Sequence, residues 1–248
     1  MPAPAITLLT DFGTADGYVA ELKGVLTVWA PNVPLLDMSH DVPAHDVAHA
    51  RLTVARYWRR FPAGTVHVVV VDPGVGTLRA AIAVHSEGRF LVGPDNGVLS
   101  PALFALDARV IALPIDANAS PTFHGRDVFA PAAAQLALGA DLSDLGDAHQ
   151  DPIRLRTPQP RRQSDGSLEG EVLTIDRFGN AITNLVACGA VRVTIGSRQM
   201  RIVRTYGEVA PSELVALVGS SGFIEIAVRE GNATAEVPVR RGERVSLS

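Results

Sequence analysis

The stretch that most constrains the fold is the run from His67 to Arg79, HVVVVDPGVGTLR. Its consecutive valines carry no charge, and a proline and two glycines follow soon after Asp72. A short, β-branched apolar run predicts a central parallel strand that is buried on both faces. Ligands of open α/β sheets bind just beyond the carboxyl ends of such strands. Asp72 is therefore a candidate site residue with Arg79 as its counter-charge, although ordinary Asp-Pro-Gly turn chemistry explains Asp72 equally well.

The apolar segments in the first 145 residues predict strands that alternate with helices. The predicted strands are 6–10, 35–38, 67–71, 81–86, 89–92 and 109–113, and the predicted helices are 18–29, 98–106, 128–138 and one that begins at residue 44 or 45. This alternation is typical of the α/β class. It predicts an N-terminal doubly wound, mostly parallel sheet with helices on both faces.

The sequence pattern changes after residue 150. Residues 151–170 are rich in proline, arginine and turn formers, which predicts a linker between an N-terminal domain, 1–150, and a C-terminal domain, 171–248. The predicted strands of the second domain are 171–176, 190–195, 200–204, 214–218, 223–228 and 244–247, with no helical pattern between them. Short strands separated by turns predict a small antiparallel barrel or sandwich.

Composition excludes several classes of protein. A net charge of -4 gives no general attraction to nucleic acid or to an acidic membrane surface. No apolar run approaches the length of a membrane span, and the first residues lack the basic start of a secretion signal. The one cysteine, Cys188, excludes internal disulfides and fits a reducing compartment, so we expect a cytoplasmic location.

The segment HDVAH at 45–49 resembles the zinc-binding HExxH motif, with aspartate in place of glutamate. His45 and His49 at positions i and i+4 of a helix could share a metal ion. A third ligand is not evident, however, and a polar first turn of a helix explains both histidines. We therefore expect no metal site and no cofactor.

Several predicted turns in both domains contain polar residues that could bind a ligand. Asp11 directly follows the first predicted strand, where carboxylates commonly bind ribose hydroxyls, although a simple turn residue is an equal alternative. His124 lies in a loop beside a glycine, where packing gives no reason for a histidine, so a functional role is favoured. In the second domain, turns at 176–184 and 219–222 carry groups that could bind a small polar ligand. A hairpin bulge and a flexible turn are their structural alternatives.

Five motifs, taken in order, resemble those of the S-adenosyl-L-methionine (SAM) hydrolases. These enzymes are also called SAM hydroxide adenosyltransferases and are related to the fluorinase and chlorinase. The motifs are TDFGTADGYVAELKG, VDPGVGTLR, GPDNGVL, FHGRDVFAP and DRFGNAITN. The resemblance extends from residue 6 to about residue 231. It implies an α/β domain followed by a small β-barrel, and a trimer whose sites lie between the N-terminal domain of one subunit and the C-terminal domain of the next.

The resemblance also implies roles for individual residues. The catalytic set of the family matches Asp72, Arg79 and His124. By the same matching, Asp11 would bind the ribose hydroxyls, Asp176 and Ser220 the methionine end, and Asn180 with the backbone of Arg229 to Gly231 the adenine; Phe123 and Ser221 are further substrate-binding candidates. Two positions depart from the halogenases, which carry an arginine where Ser221 stands and a tryptophan where His45 stands.

The chemistry of these residues favours hydrolysis of SAM to adenosine and methionine. Methionine leaves the sulfonium as a neutral thioether, so the reaction needs no general acid. Asp72 can orient or deprotonate the attacking water, and His124 can fix that water from another side. A carboxylate repels halide ions, and the halogenases have an uncharged residue where Asp72 stands, so halide-dependent adenosyl transfer is disfavoured. A non-catalytic protein that binds SAM or adenosine is the alternative from another class.

Overall fold

The computed structural model describes residues 5–187, 189–237 and 239–248, so Cys188 lies outside the described residues. The chain divides after Arg156 into two compact units. Among the helices described, none combines the length and the apolar character needed to cross a membrane.

The first unit is built on a seven-stranded sheet with the order β2-β1-β3-β5-β4-β6-β7. Its elements are β1 (Ile6–Thr10), α1 (Tyr18–Trp29), β2 (Leu35–Ser39), α2 (Val47–Tyr57), β3 (Val66–Val70), β4 (Ala81–Ser86), β5 (Arg89–Pro94), α3 (Ser100–Leu103), β6 (Arg109–Leu113), α4 (Ala130–Ala137) and β7 (Asp147–Ala148). Strands β2, β1, β3 and β5 are parallel neighbours, whereas β4 runs antiparallel to both β5 and β6. The prediction of a mostly parallel sheet is confirmed.

Helices cover both faces of this sheet because its central strands are apolar on both sides. Alternate residues of β3 enter two different cores. Val66 and Val68 pack with α1 and α4, whereas Val69 and the following Val71 pack with α2, α3 and the fully buried Trp58. The valine run is therefore a central strand that is buried on both faces, as predicted.

Two helices are shorter than predicted, and a third begins later. Helix α2 begins at Val47, because Asp46 accepts the His49 N–H at 2.9 Å and acts as its N-cap. Helix α3 covers only Ser100–Leu103 rather than 98–106. Helix α4 begins at Ala130, after a π-helical turn over Gly125–Phe129.

The second unit is a closed β-barrel. Its elements are β8 (Arg161–Arg162), β9 (Leu168–Ile175), β10 (Ala181–Thr183), β11 (Arg192–Ile195), β12 (Arg198–Val203), β13 (Leu214–Val218), β14 (Ile224–Val228), α5 (Ala233–Glu236) and β15 (Arg244–Leu247). The sheet order is β10-β14-β13-β12-β11-β15-β9-β8, and an additional pairing of β9 with β10 closes a barrel of seven strands. Neighbours are antiparallel except for the parallel pair β12 and β13. The barrel alternative is confirmed over the sandwich.

The sequence pattern did not predict β8, β10 or α5 of this unit. Strand β10 covers only Ala181–Thr183 and follows a polar turn, so it lacks a recognisable alternation. The expectation of no helix in this domain is wrong, because α5 forms a single turn capped by Asn232, whose Oδ1 accepts the Thr234 N–H at 2.8 Å. Strand β8 and the start of β9 fall within the segment 151–170.

The close approach of β3 and β5 gives a testable prediction for stability. A Cβ on Gly93 would collide with the carbonyl oxygen of Val69. We expect Gly93→Ala to lower the free energy of unfolding by roughly 1–3 kcal/mol, the usual cost of overpacking. Denaturant titration followed by circular dichroism measures this change.

The matched control is Gly24→Ala in the exposed middle of α1, where an added Cβ has no atom within 4 Å. We expect the free energy of unfolding of this variant to rise by roughly 0.5–1 kcal/mol, because alanine is favoured over glycine inside a helix. Equal stability of the Gly93→Ala variant and the wild-type protein would contradict the packing of β3 against β5.

Candidate active site

A cavity of about 250 Å³ lies at the carboxyl ends of β1 and β3. Strand β2 lies on one side of β1, and β3 lies on the other side. The carboxyl ends of β1 and β3 therefore form a switch point of the sheet, which is where α/β proteins bind ligands. The segments that follow the two strands and the segment 122–125 line the cavity. They bring Asp11, Asp72 and the adjacent residues Phe123 and His124 together from three distant parts of the sequence.

Asp72, Arg79 and His124 form one hydrogen-bonded set. The Arg79 Nε donates to Asp72 Oδ1 at 3.0 Å, and the Arg79 Nη2 forms a short contact with Asp72 Oδ2. The same Nη2 donates to His124 Nδ1 at 2.8 Å. Because arginine has no acceptor, Nδ1 must be the acceptor, which leaves the proton of a neutral ring on Nε2.

The surroundings of His124 favour this neutral form. Burial lowers the pKa of His124, and the positive charge of Arg79 lowers it further, while Asp72 and Asp127 act in the opposite direction. The net pKa lies below the ordinary histidine value of 6.5. His124 is therefore a neutral donor and acceptor near pH 7.

The loop between Asp72 and Arg79 is shaped by its small residues. Gly76 has φ 75°, and a Cβ there would collide with the Pro121 carbonyl oxygen. Only glycine allows both this backbone conformation and this close approach. The Thr77 hydroxyl donates to the Gly74 carbonyl at 2.7 Å and closes the turn. The loop therefore packs against the segment that leads to His124.

Asp11 is held by a backbone N–H group. Its Oδ2 accepts the His45 N–H at 2.8 Å, and His45 has φ 65°, in the left-handed region. The preceding strand end is fixed as well, because Thr10 Oγ1 bonds His40 Nδ1 at 2.8 Å and the Gly13 N–H donates to the His40 carbonyl at 2.8 Å. The sequence pattern gave no sign of this contact between His45 and Asp11.

The geometry also removes the basis for a histidine pair on one helical face. His45 precedes α2, which begins at Val47, so His45 and His49 do not share the i, i+4 spacing of a helix. Within the described residues no group of three or more histidine, cysteine, aspartate or glutamate side chains could hold a metal ion.

Three aromatic rings form part of the cavity wall. The ring centroids of Phe12, Tyr18 and Phe123 lie 5.4–6.0 Å apart, and both contacts of Phe123 are edge-to-face. Such rings offer an apolar surface that can also attract a cation. Phe123 was a candidate from sequence, whereas Phe12 and Tyr18 were missed, although both lie in the motif TDFGTADGY beside Asp11.

In the second unit, Asp176 organises the turn before β10. Its Oδ1 accepts the N–H groups of Phe178 and Asn180, both at 2.9 Å, and its Oδ2 accepts from the Asn180 side chain at 3.0 Å. Asn180 itself is buried. The register of β10 against β9 shifts between Ile182 and Thr183, so the turn is followed by the bulge expected as its structural alternative.

Two residues that the sequence analysis missed adjoin this turn. The Asn180 Nδ2 lies 3.4 Å from the Tyr206 hydroxyl. Burial raises the pKa of Tyr206, and the negative charges of Glu225 and Asp176 raise it further. Glu225 is buried on β14 beneath Gly219, where a Cβ would collide with its carboxylate. No local motif marks either residue, because barrel closure brings them to the turn.

The remaining candidates of the second unit lie on loops. Ser220 and Ser221 are exposed in the turn between β13 and β14. The Arg229 side chain donates to the Val209 carbonyl at 2.7 Å. The Gly231 N–H donates to the Val228 carbonyl at 3.2 Å, so this amide is used within its own turn.

Known proteins resemble this chain over nearly its whole length. It is 42% identical to the (R)-S-adenosyl-L-methionine hydrolase of Salinispora tropica, over 100% of this chain and 98% of the relative. It is 40% identical to the protein of the same name from Thermus thermophilus, over 98% of each. A fluorinase from an Actinoplanes species is more distant, at 29% identity over 82% of this chain and 80% of the relative.

The fold is shared with solved structures. An uncharacterized conserved protein from Thermotoga maritima has a crystal structure that covers 98% of this chain and 99% of its own, with a TM-score of 0.88 and 34% identity. Residues 6–146 match the SAM hydroxide adenosyltransferase N-terminal domain, and residues 170–246 match the C-terminal domain of the same name. Both domains occur here in order, and the chain therefore belongs to the SAM hydroxide adenosyltransferase family.

Proposed function

We propose that this protein hydrolyses S-adenosyl-L-methionine to adenosine and L-methionine. The observation that carries the proposal is the hydrogen-bonded set of Asp72, Arg79 and His124 at the carboxyl end of β3. Relatives at 40–42% identity over the whole chain are named (R)-S-adenosyl-L-methionine hydrolase. Their name supports the (R) epimer as the substrate of this chain as well.

The reaction is a displacement at C5′ of the ribose. The oxygen of a water molecule forms a bond to C5′ as the C5′–S bond breaks, and the electron pair of that bond stays on sulfur. Methionine leaves as a neutral thioether, so the protein need not protonate it. One proton of the water must be removed, and the protein has to hold the water in line with the breaking bond.

Asp72 and His124 are the groups proposed to act on that water. The Asp72 carboxylate orients the water and accepts its proton during the displacement. The neutral His124 ring, fixed through Nδ1 by Arg79, donates from Nε2 to the water oxygen. Arg79 touches both side chains and so holds the acceptor and the donor in one fixed arrangement.

Binding roles are proposed for the other candidates. Asp11 binds the ribose hydroxyls, and the aromatic wall that includes Phe123 shields the reacting centre and faces the sulfonium charge. In the second unit, Asp176 with Ser220 and Ser221 binds the methionine end. Asn180 and the segment 229–231 bind the adenine. The support for these roles is the family match across both units.

The carboxylate favours water over halide as the nucleophile. A halide ion at the position of the attacking water would lie beside the negative charge of Asp72 and be repelled by it. This argument separates the protein from the fluorinases, which are also its more distant relatives.

We further propose that the chain forms a homotrimer, on the basis of the family resemblance. A complete site would combine the first unit of one copy with the second unit of a neighbouring copy. One polar cluster in each unit, around Asp72 and around Asp176, supports this arrangement. The cytoplasmic location stays a prediction from sequence.

Product analysis tests the proposed reaction. The purified protein is incubated separately with the (R) and (S) sulfonium epimers of SAM, with and without chloride or fluoride, and chromatography resolves the products. We expect adenosine and methionine from the (R) epimer at a rate that halide does not change. A 5′-halo-adenosine would overturn the argument about Asp72. If no product forms but calorimetry detects binding of SAM or adenosine, the protein is instead a binding protein.

Removal of the proposed base should strongly slow turnover. We expect Asp72→Asn to lower kcat by roughly 10²–10⁴-fold, because the amide keeps the shape but cannot accept the proton. The control is Asp116→Asn in an exposed turn, where the carboxylate accepts two hydrogen bonds from Asn118. Steady-state kinetics with SAM measure both variants. Wild-type turnover by Asp72→Asn would show that Asp72 is not the base.

The protonation state of His124 predicts the acid limb of the pH profile. Protonation would replace the acceptor Nδ1 with a donor facing Arg79, so activity should fall as pH drops through the pKa of His124. Because burial and Arg79 lower that pKa, the limb should have an apparent pKa below 6.5. The matched variant His124→Gln has no titrating group at position 124. The acid limb of its pH–activity profile should therefore move to lower pH. If the acid limb of this variant is unchanged, the limb belongs to a group other than His124.

A further inference from the structure

The turn at 93–97, GPDNG, is one of the family-like motifs, yet the proposed mechanism assigns it no role. It begins in the last two residues of β5 and lies beside the two ends of the loop that carries Asp72 and Arg79. Val71 precedes this loop and Ala80 follows it. The turn makes a hydrogen bond to the carbonyl of each, and these two bonds fix the ends of the loop.

The first bond comes from the side chain of Asn96. Its Nδ2 donates to the Val71 carbonyl at 2.9 Å, while its Oδ1 accepts the Val98 N–H at 3.1 Å. The bond from the Val98 N–H shows which end of the Asn96 amide is oxygen, because a backbone N–H requires an acceptor. The pairing of β3 with β5 ends at Val68 and Val92. Asn96 thus satisfies a carbonyl that lies beyond the last backbone pair, at the peptide that joins Val71 to Asp72.

The second bond comes from Asp95, whose N–H donates to the Ala80 carbonyl at 2.9 Å. The buried Asp95 carboxylate is itself fixed on both oxygens: it lies 2.9 Å from His149 Nε2 and accepts the Ile153 N–H at 2.8 Å. The turn is therefore anchored to the segment after β7. It is a rigid support and not a flexible connection.

We propose that Asn96 is a positioning residue for the reaction, which acts through the Val71 carbonyl to hold the Asp72 carboxylate in its working place. The inference rests on the proposed hydrolysis of SAM. Asn96 contacts neither Asp72 nor Arg79 through a hydrogen bond, but it holds the peptide from which the Asp72 side chain projects. An in-line displacement is sensitive to small errors in the placement of the reacting groups.

The test compares kcat and KM for SAM in three variants. Asn96→Ala removes the side chain, and Asn96→Asp keeps the shape and the acceptor for the Val98 N–H but loses the donor to Val71. We expect kcat to fall at least roughly tenfold in both, with KM changed less than about threefold. The control is Ser86→Ala, at the far end of β4, which loses a buried side-chain bond to the Ala102 carbonyl.

The control separates positioning from general stability. Thermal denaturation should show a similar loss of stability in Asn96→Ala and Ser86→Ala, while only the Asn96 variants lose kcat. Wild-type kcat in a folded Asn96→Asp variant, or an equal loss of kcat in Ser86→Ala, would overturn the inference. Lack of SAM hydrolysis by the wild-type protein would instead reject the proposed function, so the two failures are distinguishable.

Discussion

The candidate site depends on a buried ion pair between Asp72 and Arg79, whose side chains are 6% and 9% exposed. Removing two charges from water costs hydration free energy. Their mutual attraction offsets this cost only when their geometry is well fixed. The loop between them is short and folds back on itself, so the pair is formed within one segment. His124 takes a further hydrogen of the same guanidinium, and its ring remains neutral because of burial and the adjacent positive charge. A rigid charged group and a neutral donor are thereby placed side by side.

The surrounding fold keeps this arrangement fixed. The valine run places Asp72 at the end of a strand that is packed on both faces, so the strand has little freedom to shift. Gly76 lets the loop approach Pro121, and Asp127 accepts the Ser120 N–H at 2.8 Å, which orders the segment that leads to His124. Asn96 and its neighbours fix the loop from the side of β5. Each contact joins the loop to a different element, and several independent contacts resist a change in geometry better than one.

The elements of the fold were largely predictable, and the exceptions have local causes. Short apolar strands carry their signal in most of their residues, so β1 and β6 have the predicted bounds and β3 differs from its prediction by one residue. Helix α2 starts late because the side chain of Asp46 competes with the helix for a backbone N–H. Strand β10 is too short to show alternation, and α5 depends on a single cap. Features of one turn or less have no periodicity from which they could be inferred.

The sequence by itself determined the α/β pattern, the buried strand, the change to a barrel and the family motifs that single out Asp72, Arg79 and His124. Tertiary structure alone decided which side chains from distant segments meet. Arg79 and His124 are 45 residues apart in the chain, and their contact depends on the order of strands in the sheet. The same holds for the His45 backbone on Asp11, the Asn96 amide on Val71, and Tyr206 beside Asn180. Periodicity reports burial along one segment, whereas these contacts join segments whose relative register no local pattern encodes.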